Sequence, residues 1–265
     1  MTQARFYTPT YASGTYDLRV TRAATVGPAA NKFLMGGVSF AAALQALEES
    51  CERPTLTASA QFLSFARLDD TVRIEPRVHS AGRTVTQASA VSRVGQREVL
   101  RVQAALGARP AEALQQFVTP PPVPLPMDCP PPDNDLLTGD DLGSKVEKRR
   151  RHEDETAGIG RHWIRLRDCP LSTASVAIIA DHLAGALART RGSASLDNQL
   201  RMVSQPETDW LLCDTTMAAF SNGFLHGTTH LFAEDGSLVA IASQTAALPT
   251  QGGAWAQSHV RQKLN

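Results

Sequence analysis

Residues 232–248 read "FAEDGSLVAIASQTAAL", and residues 92–106 read "SRVGQREVLRVQAAL". Each runs as a strand, a glycine turn and a second strand with apolar residues at every other position. The likeness continues on both sides. Gly82, Gly95 and Gln103 correspond to Gly223, Gly236 and Gln244 at a constant offset of 141 positions, and Thr57 and Gln61 to Ser195 and Gln199 at an offset of 138. Each half also opens with a helix of small residues, "GGVSFAAALQALEE" at 36–49 and "SVAIIADHLAGALA" at 175–188. Such self-similarity marks two copies of one unit.

Between the copies lies "PPPVPLPMDCPPP" at 120–132, which holds half of the sixteen prolines. Proline fixes φ and lacks a donor, so the stretch predicts a stiff, extended connector. The expected organisation is a first unit over 1–109, a linker over 110–144, a second unit over 145–250 and a tail over 251–265. One nearly all-apolar helix followed by antiparallel strands predicts a sheet curled around that helix. That is the α+β hot-dog fold, and two copies make a double hot-dog.

Composition narrows the function. Lys plus Arg equals Asp plus Glu, at 26 each, so no positive field is available for nucleic acid or an anionic membrane surface. No apolar run approaches the ~20 residues of a membrane span. The opening "MTQARFYTPTYASG" carries no basic-then-apolar leader pattern. Cys51, Cys129, Cys169 and Cys213 form no CxxC pair, which points to free thiols in a reducing compartment. The expectation is a soluble cytoplasmic protein without metal or redox cofactor.

Asp181 stands in the middle of the apolar second helix. A carboxylate there costs several kcal/mol unless it is paired or hydrogen-bonded, so it is either compensated structurally or kept for chemistry. Asp197, on the strand after that helix, is the rival carboxylate. His182, about 100° round the helix from Asp181, reads as a packed or edge histidine. "GVSFA" at 37–41 lacks the second glycine of a nucleophile elbow. "KRRRH" at 148–152 reads as a solvated strand end or turn, with docking of coenzyme A phosphates as the minor alternative.

The chain resembles the acyl-CoA thioesterase II (TesB-like) family in "GG" at 36–37, "SAGRTVTQASAVSRVGQ" at 80–96, "VEKR" at 146–149 and "WIRL" at 163–166. The likeness continues through "AD" at 180–181, "SLD" at 195–197, "DWLLCD" at 209–214 and "DGSLVAIASQ" at 235–244. The resemblance implies a double hot-dog that hydrolyses acyl-CoA to free acid and coenzyme A, with Asp181, Ser195 and Gln244 holding the attacking water. Asn198 stands where the family usually has His, Ser195 where Thr is commoner, and "LTASAQF" replaces a His-Ser pair. In the first copy Ala43 matches Asp181, while Thr57 and Gln103 match Ser195 and Gln244, so one catalytic site per chain is expected, in the second copy. A homo-oligomer joined through sheet edges is compatible with this fold. The competing function is a non-catalytic acyl- or acyl-CoA-binding hot-dog protein. Hydratase chemistry ranks last, because Ala186 stands where its helical His is expected.

Overall fold

The computed structural model describes residues 5–110, 113–130, 140–205 and 207–249, with only the backbone described for Arg150 and Arg151. The expected tail over 251–265 and parts of the expected linker lie outside the described residues. In the first half β1 (Thr10–Ala12) and β2 (Thr15–Arg19) are followed by a ribbon of β3 (Thr25–Val26) and β4 (Phe33–Leu34). Then come α1 (Gly36–Cys51), β5 (Thr55–Phe62), β6 (Thr71–Ala81), β7 (Val85–Val94) and β8 (Arg97–Gly107). The second half comprises β9 (Val146–Asp154), β10 (Ile159–Leu166), α2 (Thr173–Ala180), β11 (Ala194–Ser195) and β12 (Asp197–Met202). It closes with β13 (Leu211–Ser221), β14 (Phe224–Phe232) and β15 (Leu238–Ala247).

All of these strands except β3 and β4 join one antiparallel sheet, ordered β1-β2-β6-β7-β8-β5-β12-β15-β14-β13-β10-β9, with β11 paired to β15. Exchanging each first-half strand with its second-half counterpart leaves that order unchanged. The halves meet at β5 and β12, where Ser59 lies opposite Gln199. Both helices pack on the sheet and on each other, α1 against β5 to β8 and α2 against β10 and β12. Strand alternation supplies the buried face: Leu100, Val102, Ala104 and Leu106 on β8, and Ala240, Ala242, Gln244 and Ala246 on β15. Gln244 is the polar member of an alanine row.

Two sequence expectations are corrected here. The apolar pattern predicts a helix over 175–188, but α2 ends at Ala180 and the chain tightens into a 3-10 turn over Asp181–Gly185. Strands β10 and β14 crowd that turn. A Cβ on Gly160 would meet the Ala186 carbonyl oxygen at 2.6 Å, and one on Gly227 would meet Leu183 Cδ2 at 3.0 Å. The Ala184 N–H donates to Gln244 Oε1 at 3.1 Å instead of to the carbonyl four residues back that an α-helix would use.

The second correction concerns Thr57 and Gln103. Both are exposed, on the face of the sheet away from α1, and Thr57 Oγ1 donates to the Leu200 carbonyl at 3.1 Å. An offset of one residue moves a side chain to the opposite face of a sheet. The turn between β7 and β8 joins Val94 to Arg97, whereas that between β14 and β15 joins Phe232 to Leu238. Aligning glycines through turns of unequal length therefore puts Gln103 out of phase with Gln244. The first half does not keep the hydrogen-bonding pair on its inner face.

Described parts of the expected linker lie against the second half. Trp163 Nε1 donates to the Pro124 carbonyl at 3.0 Å, and Leu238 N–H donates to Gln116 Oε1 at 2.8 Å. Val118, Val123 and Cys129 pack there with Trp163, Trp210 and Phe232. No helix among the described residues is long and apolar enough to cross a membrane.

Candidate active site

Asp181 is the C-cap of α2 and is 7% exposed. Its Oδ2 accepts from the Gly37 N–H at 2.7 Å, a donor in the first turn of α1. Its Oδ1 accepts from Gln244 Nε2 at 2.6 Å and from Ser195 Oγ at 3.3 Å, with Asn198 Nδ2 at 3.5 Å. Gln244 Nε2 also donates to Ser195 Oγ at 2.8 Å. The structure thus brings all three residues expected from the sequence within hydrogen-bonding distance of one another.

The orientation of Gln244 is fixed from the other side. Its Oε1 is taken by the Ala184 N–H, so both of its N–H groups face Asp181 and Ser195. It therefore aligns the carboxylate and the hydroxyl. Burial raises the proton affinity of Asp181, and donations from Gly37, Gln244, Asn198 and Ser195 offset only part of that, leaving its carboxyl above the ordinary aspartate value. The N-terminus of α1 adds a favourable field, because the first N–H groups of a helix carry partial positive charge.

Close approach of the two helices depends on the paired glycines. A Cβ at Gly37 would lie 2.7 Å from Asp181 Cβ and 3.0 Å from Ile178 Cα, and one at Gly36 would lie 2.9 Å from Phe62 Cε1 and 3.1 Å from Asp181 Oδ2. The sequence marks these glycines as the opening of a helix and as part of the family resemblance, without showing the contact they make. Two successive glycines at a helix start were the available signal for a near contact.

Asp181 and Ser195 border a cavity of about 830 Å³. Its walls come from both halves, with Met35, Phe33, Phe62 and Phe65 on one side and Leu196, Phe224 and Leu248 on the other. Among the described residues that line it there is no lysine or arginine. Lys148, Arg149 and His152 of the basic run do not line it, and Arg149 pairs with Glu147 at 2.9 Å. Asp197 accepts from the Thr245 backbone N–H at 2.6 Å, a structural use in the irregular pairing of β11 and β12 with β15. Burial holds His182 neutral, assisted by the neighbouring Lys148 and His162. Among the described residues, no group of three or more His, Cys, Asp or Glu side chains is placed to hold a metal ion.

Solved structures with the same architecture define the class first: this is a hot-dog fold. A protein of unknown function described as having that fold, from Alicyclobacillus acidocaldarius, is 19% identical at a TM-score of 0.79, covering 92% of this chain and 96% of that one. Thioesterase II of Thermobifida fusca, itself a candidate assignment, is 18% identical at a TM-score of 0.79, covering 94% and 99%. A candidate thioesterase from Novosphingobium aromaticivorans is 34% identical at a TM-score of 0.83, covering 90% of this chain and 96% of that one. Residues 126–248 match the family profile of the acyl-CoA thioesterase C-terminal domain. No curated protein matches the chain in sequence. The chain belongs to the acyl-CoA thioesterase family and is a thioester hydrolase.

Proposed function

We propose that this chain hydrolyses an acyl-CoA to the free acid and coenzyme A, using a water activated by Asp181 and aligned by Ser195, with Gln244 holding those two groups in place. The observation that carries the reading is a buried carboxylate, 2.6 Å from Gln244 and 3.3 Å from Ser195, bordering an apolar cavity. The water oxygen attacks the thioester carbonyl carbon while Asp181 takes its proton. The tetrahedral intermediate then expels the coenzyme A thiolate, and the proton returns to that sulfur. A carboxylate whose proton affinity is raised by burial is a stronger base than a solvated one. Gly36, at the first position of α1, borders the cavity, and its N–H has no acceptor within its own helix. It is the donor we assign to the developing oxyanion.

We read the fold as a double hot-dog, with units over 1–109 and 145–250 joined by a linker over 110–144. The mirrored strand order and the equivalent place of α1 and α2 support this. Catalysis falls to one site per chain, where the second unit supplies Asp181, Ser195 and Gln244 and the first supplies the α1 N-terminus and half of the cavity wall. The lining, uncharged apart from Asp181 and rich in phenylalanine, suits an apolar acyl group. The test is release of free thiol from a panel of acyl-CoAs beside Asp181→Asn. Loss of a general base predicts a fall in kcat of ~10²- to 10⁴-fold. Binding of acyl-CoA without turnover in the wild-type chain would favour the non-catalytic binding reading, and full turnover by Asp181→Asn would overturn the assignment of the base.

A further inference from the structure

Asn198 lies on the inner face of β12, fully buried. Its Nδ2 is 3.5 Å from Asp181 Oδ1, while its Oδ1 has no hydrogen-bond partner among the described residues. A buried amide oxygen without a donor lowers stability, whereas an apolar side chain of similar size at the same place would not. The next residue on that face is the fully buried Leu200, so the sheet itself accepts leucine here. Nothing on the oxygen side of the amide fixes its rotation. Its NH2 edge is turned by the negative charge in front of it, in a contact long enough to be an ion–dipole attraction more than a full hydrogen bond.

We propose that Asn198 is a positioning residue of the hydrolytic reaction, kept in the core at a cost in stability because its amide dipole holds the Asp181 carboxylate ionised and in place. The proposal rests on the reading of Asp181 as the base. The groups that touch this carboxylate are all uncharged: the Gly37 N–H from α1, Ser195 from β11, Asn198 from β12 and Gln244 from β15. Of the adjoining titratable groups, His182 is neutral by burial beside Lys148 and His162. Asp197, on the same strand as Asn198, is turned to the Thr245 N–H. The ionisation of Asp181 is therefore set by burial opposed by a few dipoles, and removing one registers in its titration.

The experiment measures kcat/KM against pH with one acyl-CoA substrate, together with Tm, for wild type, Asn198→Leu, Asn198→Asp and Asp181→Asn. Asn198→Leu is expected to match or exceed the wild-type Tm. Its acid limb should move to higher pH, with activity ~3- to 10-fold down below the limb and a smaller fall on the plateau. Asn198→Asp, of the same shape but with a carboxylate facing a carboxylate, should move the limb further in the same direction. If Asn198→Leu fails to fold, Asn198→Asp still reads the limb. An acid limb that superimposes on wild type in both variants overturns the proposal, and a lowered Tm with an unmoved limb marks a merely structural residue. If Asp181→Asn itself turns over, it is the catalytic reading that fails. If Asp181→Asn is inactive and the limbs stay put, only the inference about Asn198 fails.

Discussion

Gly37→Ala tests whether the site is assembled across the two halves. The added methyl would stand 2.7 Å from Asp181 Cβ, 3.0 Å from Ile178 Cα and 3.1 Å from the Ala177 carbonyl oxygen. Two of these are backbone atoms of α2, so relief requires α1 and α2 to move apart. Overpacking of this kind costs about 1–3 kcal/mol of stability. Separation also stretches the 2.7 Å bond from the Gly37 N–H to Asp181 Oδ2. A hydrogen bond to a charged group contributes about 1.5–3 kcal/mol, which corresponds to a fall of roughly 10- to 150-fold in kcat/KM if the bond is lost. Asp181 already lies above the ordinary aspartate value because of burial. With one donor fewer its proton affinity rises again, so the acid limb of the activity profile moves to higher pH. Stability follows the same sign. A carboxyl raised in the folded state favours folding below its unfolded value, and that contribution disappears as pH rises through the folded one. The deficit of Gly37→Ala should therefore be larger at neutral than at acidic pH. Gly185→Ala, whose added methyl meets nothing within 4 Å but borders the cavity, is the control for stability and for the acid limb. Thiol release across pH and thermal melts read the outcome. Wild-type activity with an unmoved acid limb in Gly37→Ala would refute the idea that α1 holds the base.

Gln244→Leu leaves the buried Ala184 N–H without its acceptor and removes the 2.6 Å donation to Asp181. It should lower both Tm and kcat/KM, the latter by roughly 10- to 150-fold, with an alkaline shift of the acid limb measured by thiol release. Glu147 is 4% exposed and accepts from Arg149, Arg165 and Arg167. Burial alone would raise its pKa, but the three guanidiniums outweigh that and hold it below the usual glutamate value. Its contribution is present above the unfolded glutamate value and lost as pH falls through the folded one. Glu147→Gln should therefore lower stability by ~2 kcal/mol at neutral pH, less than a fully buried pair because the arginines are partly exposed. Thermal melts at neutral and strongly acidic pH check this, since the difference should vanish in acid. Burial pushes the Cys169 thiol up to about 11 and Cys213 to about 12, and Cys129 is also buried. Cys51 is only partly buried, so Ellman's reagent should find at most one equivalent readily in the native chain and all four only after denaturation, which matters because the same reagent reports coenzyme A.

What the sequence disclosed and what it hid divide along one physical line. A charged residue inside an apolar helix is a conflict between neighbours in the chain, so Asp181 stands out from the sequence alone, whereas Ser195 and Gln244 come only with the family resemblance. The break in α2 did not, because it is imposed by Gly160 and Gly227 on strands distant in sequence and by the Ala184 N–H reaching Gln244. The match of Gln103 to Gln244 failed for a related reason: sequence offsets count residues, while a sheet sorts side chains by parity, and turns of unequal length change the parity. The pairing that matters for Asp181 is not with its own repeat at all. Its Oδ2 is bound by Gly37 of the first half, across the contact of α1 with α2. A half-chain comparison pairs residues at matching positions, but this donor and acceptor do not stand at matching positions. That asymmetry lets the first half contribute to the proposed site without a polar side chain of its own there. Its helix N-terminus acts through backbone N–H groups, which side-chain substitution removes only when, as at Gly36 and Gly37, the new side chain takes the space that the carboxylate needs.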